Sequence, residues 1–150
     1  MTFILAVSGM LVFIDQVSKY YVEKLILPGR SVPLVQNLFQ LTLVQNSGVA
    51  FGLFRHSGPF LFIVVSILFI TLFFFFLKGL SRKGLLWRLG LGLILGGALG
   101  NLIDRLRWGY VVDFLDFSLR GHHWPAFNFS DLGITTGVAI LCYKMLKKNS

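Results

Sequence analysis

Apolar residues fall along this chain in four long runs, at about 2–22, 58–77, 86–103 and 126–143. Each approaches the roughly 20 residues that a helix needs to cross a bilayer. The second, "GPFLFIVVSILFITLFFFFL", contains no charged residue. The third places Gly92, Gly96 and Gly100 four apart, a small-residue spacing that lets another helix approach closely. Two connecting segments carry other patterns. "SVPLVQNLFQLTLVQNSGVAFGLF" (31–54) mixes Val, Leu, Phe and Thr with Gln and Asn between Pro33 and Gly48, which predicts short strands of a small outer sheet. The segment at about 106–125 interleaves aromatic and charged residues and predicts a helix or loop lying in the interface, anchored by Trp108 and Trp124. Together these patterns predict an all-α membrane protein forming one integral domain over 1–150. It has four transmembrane helices, a small extracytoplasmic β-sheet and an interfacial helix or loop. The first run lacks the basic flank and small-residue cleavage site of a signal peptide, so it reads as a retained span.

Composition strengthens the membrane reading. The chain is 55% hydrophobic and only 13% charged, with mean hydropathy +0.77, more apolar surface than a soluble domain of this size can hide. The net charge of +8 is not gathered into a patch with stacking aromatics, so no nucleic-acid partner is expected. Charge bias orients the chain. Lys78, Arg82, Lys83 and Arg88 follow the second run, and Lys144, Lys147 and Lys148 follow the fourth. All six acids (Asp15, Glu23, Asp104, Asp113, Asp116 and Asp131) lie on the other side. The positive-inside rule then puts both termini in the cytoplasm and every carboxylate towards the outer face. Cys142 is the lone cysteine, so no internal disulfide or cysteine metal cluster is expected. His122 and His123 have no third ligand at metal spacing and read as incidental.

The carboxylates carry the candidate chemistry. From Leu132 to Tyr143 there are 12 residues, about 18 Å of helix against a hydrocarbon core of about 30 Å. The fourth span must therefore include Asp131, and the same arithmetic draws Asp15 into the first. Ionisable groups at such depth are functional candidates by default. Structural readings stand beside this one. In "NFSD", Asn128, Ser130 and Asp131 offer a helix cap; Asp15 can bond backbone or Lys19 one turn along. Asn101, Asp104 and Arg105 resemble a polar latch between helices, and Asp116 and Glu23 read as solvated. Asp113 sits in the apolar run "GYVVDFLDF" just before the fourth span, where it can face Asp131 at the same depth. Two carboxyls in a poorly hydrated pocket share a proton, giving a base for water and an acid for a scissile amide. The alternative is a small proton-coupled transporter or channel with Asp15, Asp113 and Asp131 as relay groups.

"DQVSK" (15–19), "QNSGVAFG" (45–52), "GGALGNLIDR" (96–105), "GYVVDFLDF" (109–117) and "PAFNFSD" (125–131) resemble, in order, the blocks of the lipoprotein signal peptidases (signal peptidase II). The resemblance implies an intramembrane aspartic endopeptidase of the bacterial inner membrane, acting on prolipoproteins that carry a diacylglyceryl-cysteine. It carries the catalytic pair onto Asp113 and Asp131, and supporting roles onto Asp15, Asn46, Gly97, Asn101, Asp104, Arg105 and Asn128. Under this reading Asn46 steadies the substrate strand, Asn101 and Asn128 orient the pair, and Arg105 pairs with Asp104. The family usually has Ala where this chain has Ser130, whose hydroxyl is placed to alter the bonding of Asp131. No metal or cofactor is expected, the partners are the prolipoprotein and membrane lipids, and nothing requires more than a monomer.

Overall fold

The structure, a computed structural model, describes residues 1–48, 58–80, 84–119 and 122–148. The chain runs α1 (Thr2–Leu25), β1 (Ser31–Val35), β2 (Phe39–Asn46), α2 (Gly58–Leu80), α3 (Leu85–Trp108), β3 (Val111–Leu119), β4 (His122–His123) and α4 (Phe129–Lys148). The four helices occupy the four apolar runs, but three reach several residues further at their C-terminal ends, and α4 both starts and ends later. The last part of the expected outer strand region, 49–54, lies outside the described residues, as do Arg82 and Lys83 of the charge count.

Among the described residues, three helices are long and apolar enough to cross a membrane: Thr2–Leu25, Leu85–Trp108 and Phe129–Lys147. The second helix carries an apolar stretch at Phe60–Phe75. Burial ranks them. In its most apolar window α3 is 67% buried, against 22% for α1 and 17% for α4, so α3 is the central helix. Phe13, Phe60, Phe75 and Leu146 are among many large apolar side chains left exposed, as suits helices whose solvent is lipid.

The glycines of α3 explain how its neighbours come so close. A Cβ at Gly92 would lie 2.8 Å from Val7 Cβ, and one at Gly96 2.9 Å from the Ser8 carbonyl, both on α1. A Cβ at Gly97 would overlap the Ser130 carbonyl oxygen on α4, and one at Gly90 would lie 3.0 Å from the Gly137 carbonyl. Two helices therefore pack backbone to backbone on two faces of α3. The Gly92–Gly96 spacing serves α1 and the offset Gly90–Gly97 pair serves α4. Facing α3, α1 buries Ile4, Ser8, Asp15, Lys19 and Val22, a run at near-heptad spacing.

Gly109, in the left-handed region at φ 77, ends α3 and donates its N–H to the Arg105 carbonyl, a usual glycine stop. The chain then enters β3, the third strand of an antiparallel sheet ordered β1-β2-β3-β4. This corrects the expected interfacial helix or loop over 106–125: α3 claims it to Trp108, and 111–119 is a strand. Val111–Asp116 are all buried, covered on both faces, and a short strand of that kind shows no alternation by which sequence could distinguish it from an interfacial segment. Val112, Phe114 and Leu115 pack with Val22 and Ile26 from the end of α1 and Leu43 of β2, fixing the sheet across the bundle's end.

Gly97→Val forces apart α3 and α4 and is expected to cost about 1–3 kcal/mol, lowering the thermal unfolding midpoint in detergent. Gly9→Ala, whose Cβ meets nothing within 4 Å, is expected to raise that midpoint slightly through helix propensity. Equal midpoints for the two variants would contradict this packing.

Candidate active site

Elements from four parts of the chain converge where α1, α3 and α4 meet the sheet. On the first edge of β3, Asn46 pairs with Val111 and Val44 with Asp113. On the other edge the chain returns alongside: the Phe114 and Leu115 N–H groups donate to the Phe127 carbonyl at 3.0 and 2.8 Å, and the Phe127 N–H donates back to the Leu115 carbonyl at 3.1 Å. This bridge places Asn128 beside Asp113 and delays the start of α4 until Phe129.

Asn128 is fully buried and its bonds define the site. Its Nδ2 donates to Asp113 Oδ1 at 2.6 Å, with the Val112 carbonyl at 3.3 Å and Asn101 Oδ1 at 3.2 Å also within reach. Its Oδ1 accepts the Asp131 N–H at 2.9 Å, while Asp131 Oδ2 accepts the Asn128 N–H at 3.2 Å. These reciprocal bonds form a capping box. The capping reading of "NFSD" is therefore correct, and it coexists with a place for Asp131 beside Asp113.

Each carboxylate has a further donor. Asn46 Nδ2 bonds Asp113 Oδ2 at 2.8 Å, and Asn101 Nδ2 bonds Asp131 Oδ1 at 2.8 Å. Asn46 thus braces Asp113, a contact that spacing alone did not give. Asp113, 2% exposed, is pushed from its ordinary 3.8 up to about 7, first by burial and then by the neighbouring charge of Asp131. Both aspartates line a cavity of about 360 Å³, together with Asn46, Asn101, Arg105 and the 124–127 segment. Thr135, one turn after Asp131, also lines it; its helical spacing from Asp131 was the available sequence signal.

Behind the pair lies a buried ionic cluster. The Lys19 ammonium sits 2.7 Å from Asp15 Oδ2 and 2.7 Å from Asp104 Oδ2. Asp15 also accepts the Ser130 N–H at 2.9 Å, and Asp104 accepts the Val112 N–H at 3.1 Å and Gln16 Nε2 at 2.8 Å. The structural reading of Asp15 holds. The expected Arg105–Asp104 pair does not form: Lys19 takes Asp104, because Lys19 on α1 meets it across the helix interface. Arg105 instead donates to the Asn101 carbonyl at 3.4 Å and lies 5.4 Å over the Phe62 ring, on the cavity wall. Gln16 was not singled out by its spacing.

Four other expectations change. Asp116 is buried, bonded to Gln40 Nε2 at 2.5 Å and paired with His123 Nδ1 at 2.9 Å; it is not solvated, and His123 is not incidental. Glu23 is half-buried. The Ser130 hydroxyl does not touch Asp131; it is buried with no hydrogen-bond partner among the described residues, filling the space that the missing Cβ of Gly100 leaves. Gly97 earns its place through the α3–α4 approach rather than through a polar contact.

The folded protein holds a proton on Asp113 that the unfolded chain releases over the window from 3.8 to about 7. Stability therefore falls as pH rises through that window and levels off above it. Thermal midpoints measured across it are expected to decline in the wild type and to be flatter in Asp113→Asn; parallel curves would contradict the assignment.

The family sequence model for signal peptidase (SPase) II matches residues 7–147. A lipoprotein signal peptidase of Moorella thermoacetica is 46% identical over 133 residues, covering 89% of this chain and 85% of that protein. One from Pelotomaculum thermopropionicum is 42% identical over 145 residues, covering 96% and 91%. Among solved structures, one described as a bacterial membrane enzyme superposes with a TM-score of 0.92 at 29% identity, covering 100% of this chain and 91% of that one. A second, described likewise, gives 0.87 at 28% identity. With sequence and fold agreeing almost end to end, the chain belongs to the signal peptidase II family.

Proposed function

We propose that this chain is an intramembrane aspartic endopeptidase that removes the signal peptide from diacylglyceryl-modified prolipoproteins. The observation that carries the reading is the double grip of Asn128 on Asp113 and Asp131 at the wall of one cavity. The pair holds one proton between them and titrates as a unit. Burial and the neighbouring charge favour Asp113 as its resting place. Asp131, bonded by Asn101 and by the Asn128 N–H, is then the base. It takes a proton from water as the oxygen attacks the carbonyl carbon preceding the lipid-modified cysteine. Asp113 hydrogen-bonds the carbonyl oxygen and supports the tetrahedral intermediate. Collapse of that intermediate breaks the C–N bond, and a proton passes from the pair to the departing amine of the cysteine.

The apolar stretch of α2 makes it the fourth span, and charge bias puts both termini in the cytoplasm. The sheet and the carboxyl pair then lie at the outer face of the inner membrane, in one integral domain. Acyl chains of the substrate stay in lipid while the peptide enters from the side. Arg105, at the cavity wall, supplies positive charge near the pair. Both carboxylates come from one chain, so a monomer suffices. The acids gather where the bundle meets the sheet rather than along its depth, which a transmembrane proton relay would require.

Asp113→Asn and Asp131→Asn are each expected to reduce cleavage of a diacylglyceryl-modified prolipoprotein peptide by about two to four orders of magnitude while leaving the protein folded. Near-wild-type turnover in either variant would remove the mechanism.

A further inference from the structure

Lys19 is a buried cation, 3% exposed, that the reaction itself does not use. Its three N–H bonds are fully placed. Two go to Asp15 and Asp104 at 2.7 Å, and the third reaches Asn101 Oδ1 at 3.4 Å. An ammonium is donor only. Whichever amide atom of Asn101 faces Lys19 must therefore be the oxygen, and the NH2 is left to point the other way, at Asp131 Oδ1, 2.8 Å distant. Turning that amide over would set NH2 against ammonium and oxygen against carboxylate, two like-polarity contacts among largely buried side chains.

We propose that Lys19 is a positioning residue for the reaction: through Asn101 Oδ1 it fixes the direction of the amide that donates to Asp131, and Asp15 and Asp104 serve to hold Lys19 there. Asn101 Oδ1 also receives Asn128 Nδ2 at 3.2 Å, a contact that favours the same direction of the Asn101 amide, so Lys19 and Asn128 act on it together. The influence of Lys19 therefore runs to Asp131 by way of Asn101. The groups around Asp131 fit this division: Asn101 from α3 and the Asn128 N–H bond it directly, while Lys19 and Asp15 from α1 stand one residue further off. The inference rests on the proposed roles of Asp113 and Asp131.

Lys19→Met alone strands Asp15 and Asp104 as buried charges, which is strongly destabilising. The informative variant therefore combines Lys19→Met with Asp15→Asn and Asp104→Asn, a neutral cluster of similar volume. In this folded variant kcat for the lipidated peptide is expected to fall on the order of 10- to 100-fold, the cost of a misoriented catalytic group, with KM within about twofold. Combined with Asn101→Ala, the same three changes are expected to add less than about twofold to the loss caused by Asn101→Ala alone, because both act through one contact. Wild-type kcat, or losses that multiply, would overturn the inference. A second measurement needs no variant: side-chain amide NMR of 15N-asparagine-labelled wild type is expected to show one Asn101 Nδ2 proton, the one donated to Asp131, shifting strongly as the carboxyl pair titrates. An Asn101 amide averaging between two orientations would overturn it equally. Failure here leaves Asp131→Asn inactive, whereas failure of the catalytic assignment leaves Asp131→Asn active, so the two are distinguishable.

Discussion

One asparagine holds the two carboxyl groups together. Asn128 donates its amide to Asp113 and exchanges two backbone-to-side-chain bonds with Asp131. Setting two acids side by side away from water is unfavourable, because neither ionises easily next to the other. Hydrogen bonds from Asn46, Asn101 and Asn128 offset part of that cost, and what remains raises Asp113 above its ordinary carboxylate range. The same bonds that start α4 thus orient its aspartate, so helix capping and site assembly are one event. Asn128 in turn depends on the Phe127–Leu115 bridge, which aligns the end of the 124–128 segment with β3. The sheet is therefore a jig for the site as well as a cover for the bundle.

A second polar core sets the helices relative to that jig. Asp15 accepts a backbone N–H from α4, Asp104 accepts one from β3, and Lys19 joins the two acids. Four elements are tied at one point, with every charged atom matched. Losing one partner from such a cluster costs about 3–5 kcal/mol, whereas wholesale apolar replacement is often tolerated. Persistence of a cluster like this is better understood as geometric specification than as stabilisation. The glycines of α3 make it possible, since only backbone-to-backbone contact brings Lys19 within reach of Asp104 and Ser130 within reach of Asp15.

How much of this could be read from the amino-acid order depends on the kind of contact. The four helices were legible because long apolar runs have few alternatives, and Asp131 was legible because span length left nowhere else for it. The expectation that Asp113 faces Asp131 rested on equal depth, and both line one cavity. Strand β3 was not legible: "VVDFLDF" is buried on both faces, so the alternation that marks a half-buried strand is absent. Asp104 was matched to Arg105, its neighbour in sequence, while its actual partner Lys19 lies on another helix, and tertiary proximity leaves no local pattern. Asp116 was misread for the same reason, since Gln40 and His123 reach it across the sheet. Polar residues were recognised as important by where they sat, but their partners were fixed by packing.

The central claim is that Asp113 keeps a proton towards neutral pH because burial and the neighbouring charge of Asp131 raise the cost of ionising it. Infrared spectroscopy of the protonated carboxyl stretch, on 13C-aspartate-labelled protein titrated with base, tests it most directly. The account predicts a band in the wild type that disappears near pH 7 and, in Asp131→Asn, disappears at lower pH once the neighbouring charge is gone. A wild type with no protonated carboxyl on the acidic side of neutrality, or a midpoint indifferent to residue 131, would contradict it.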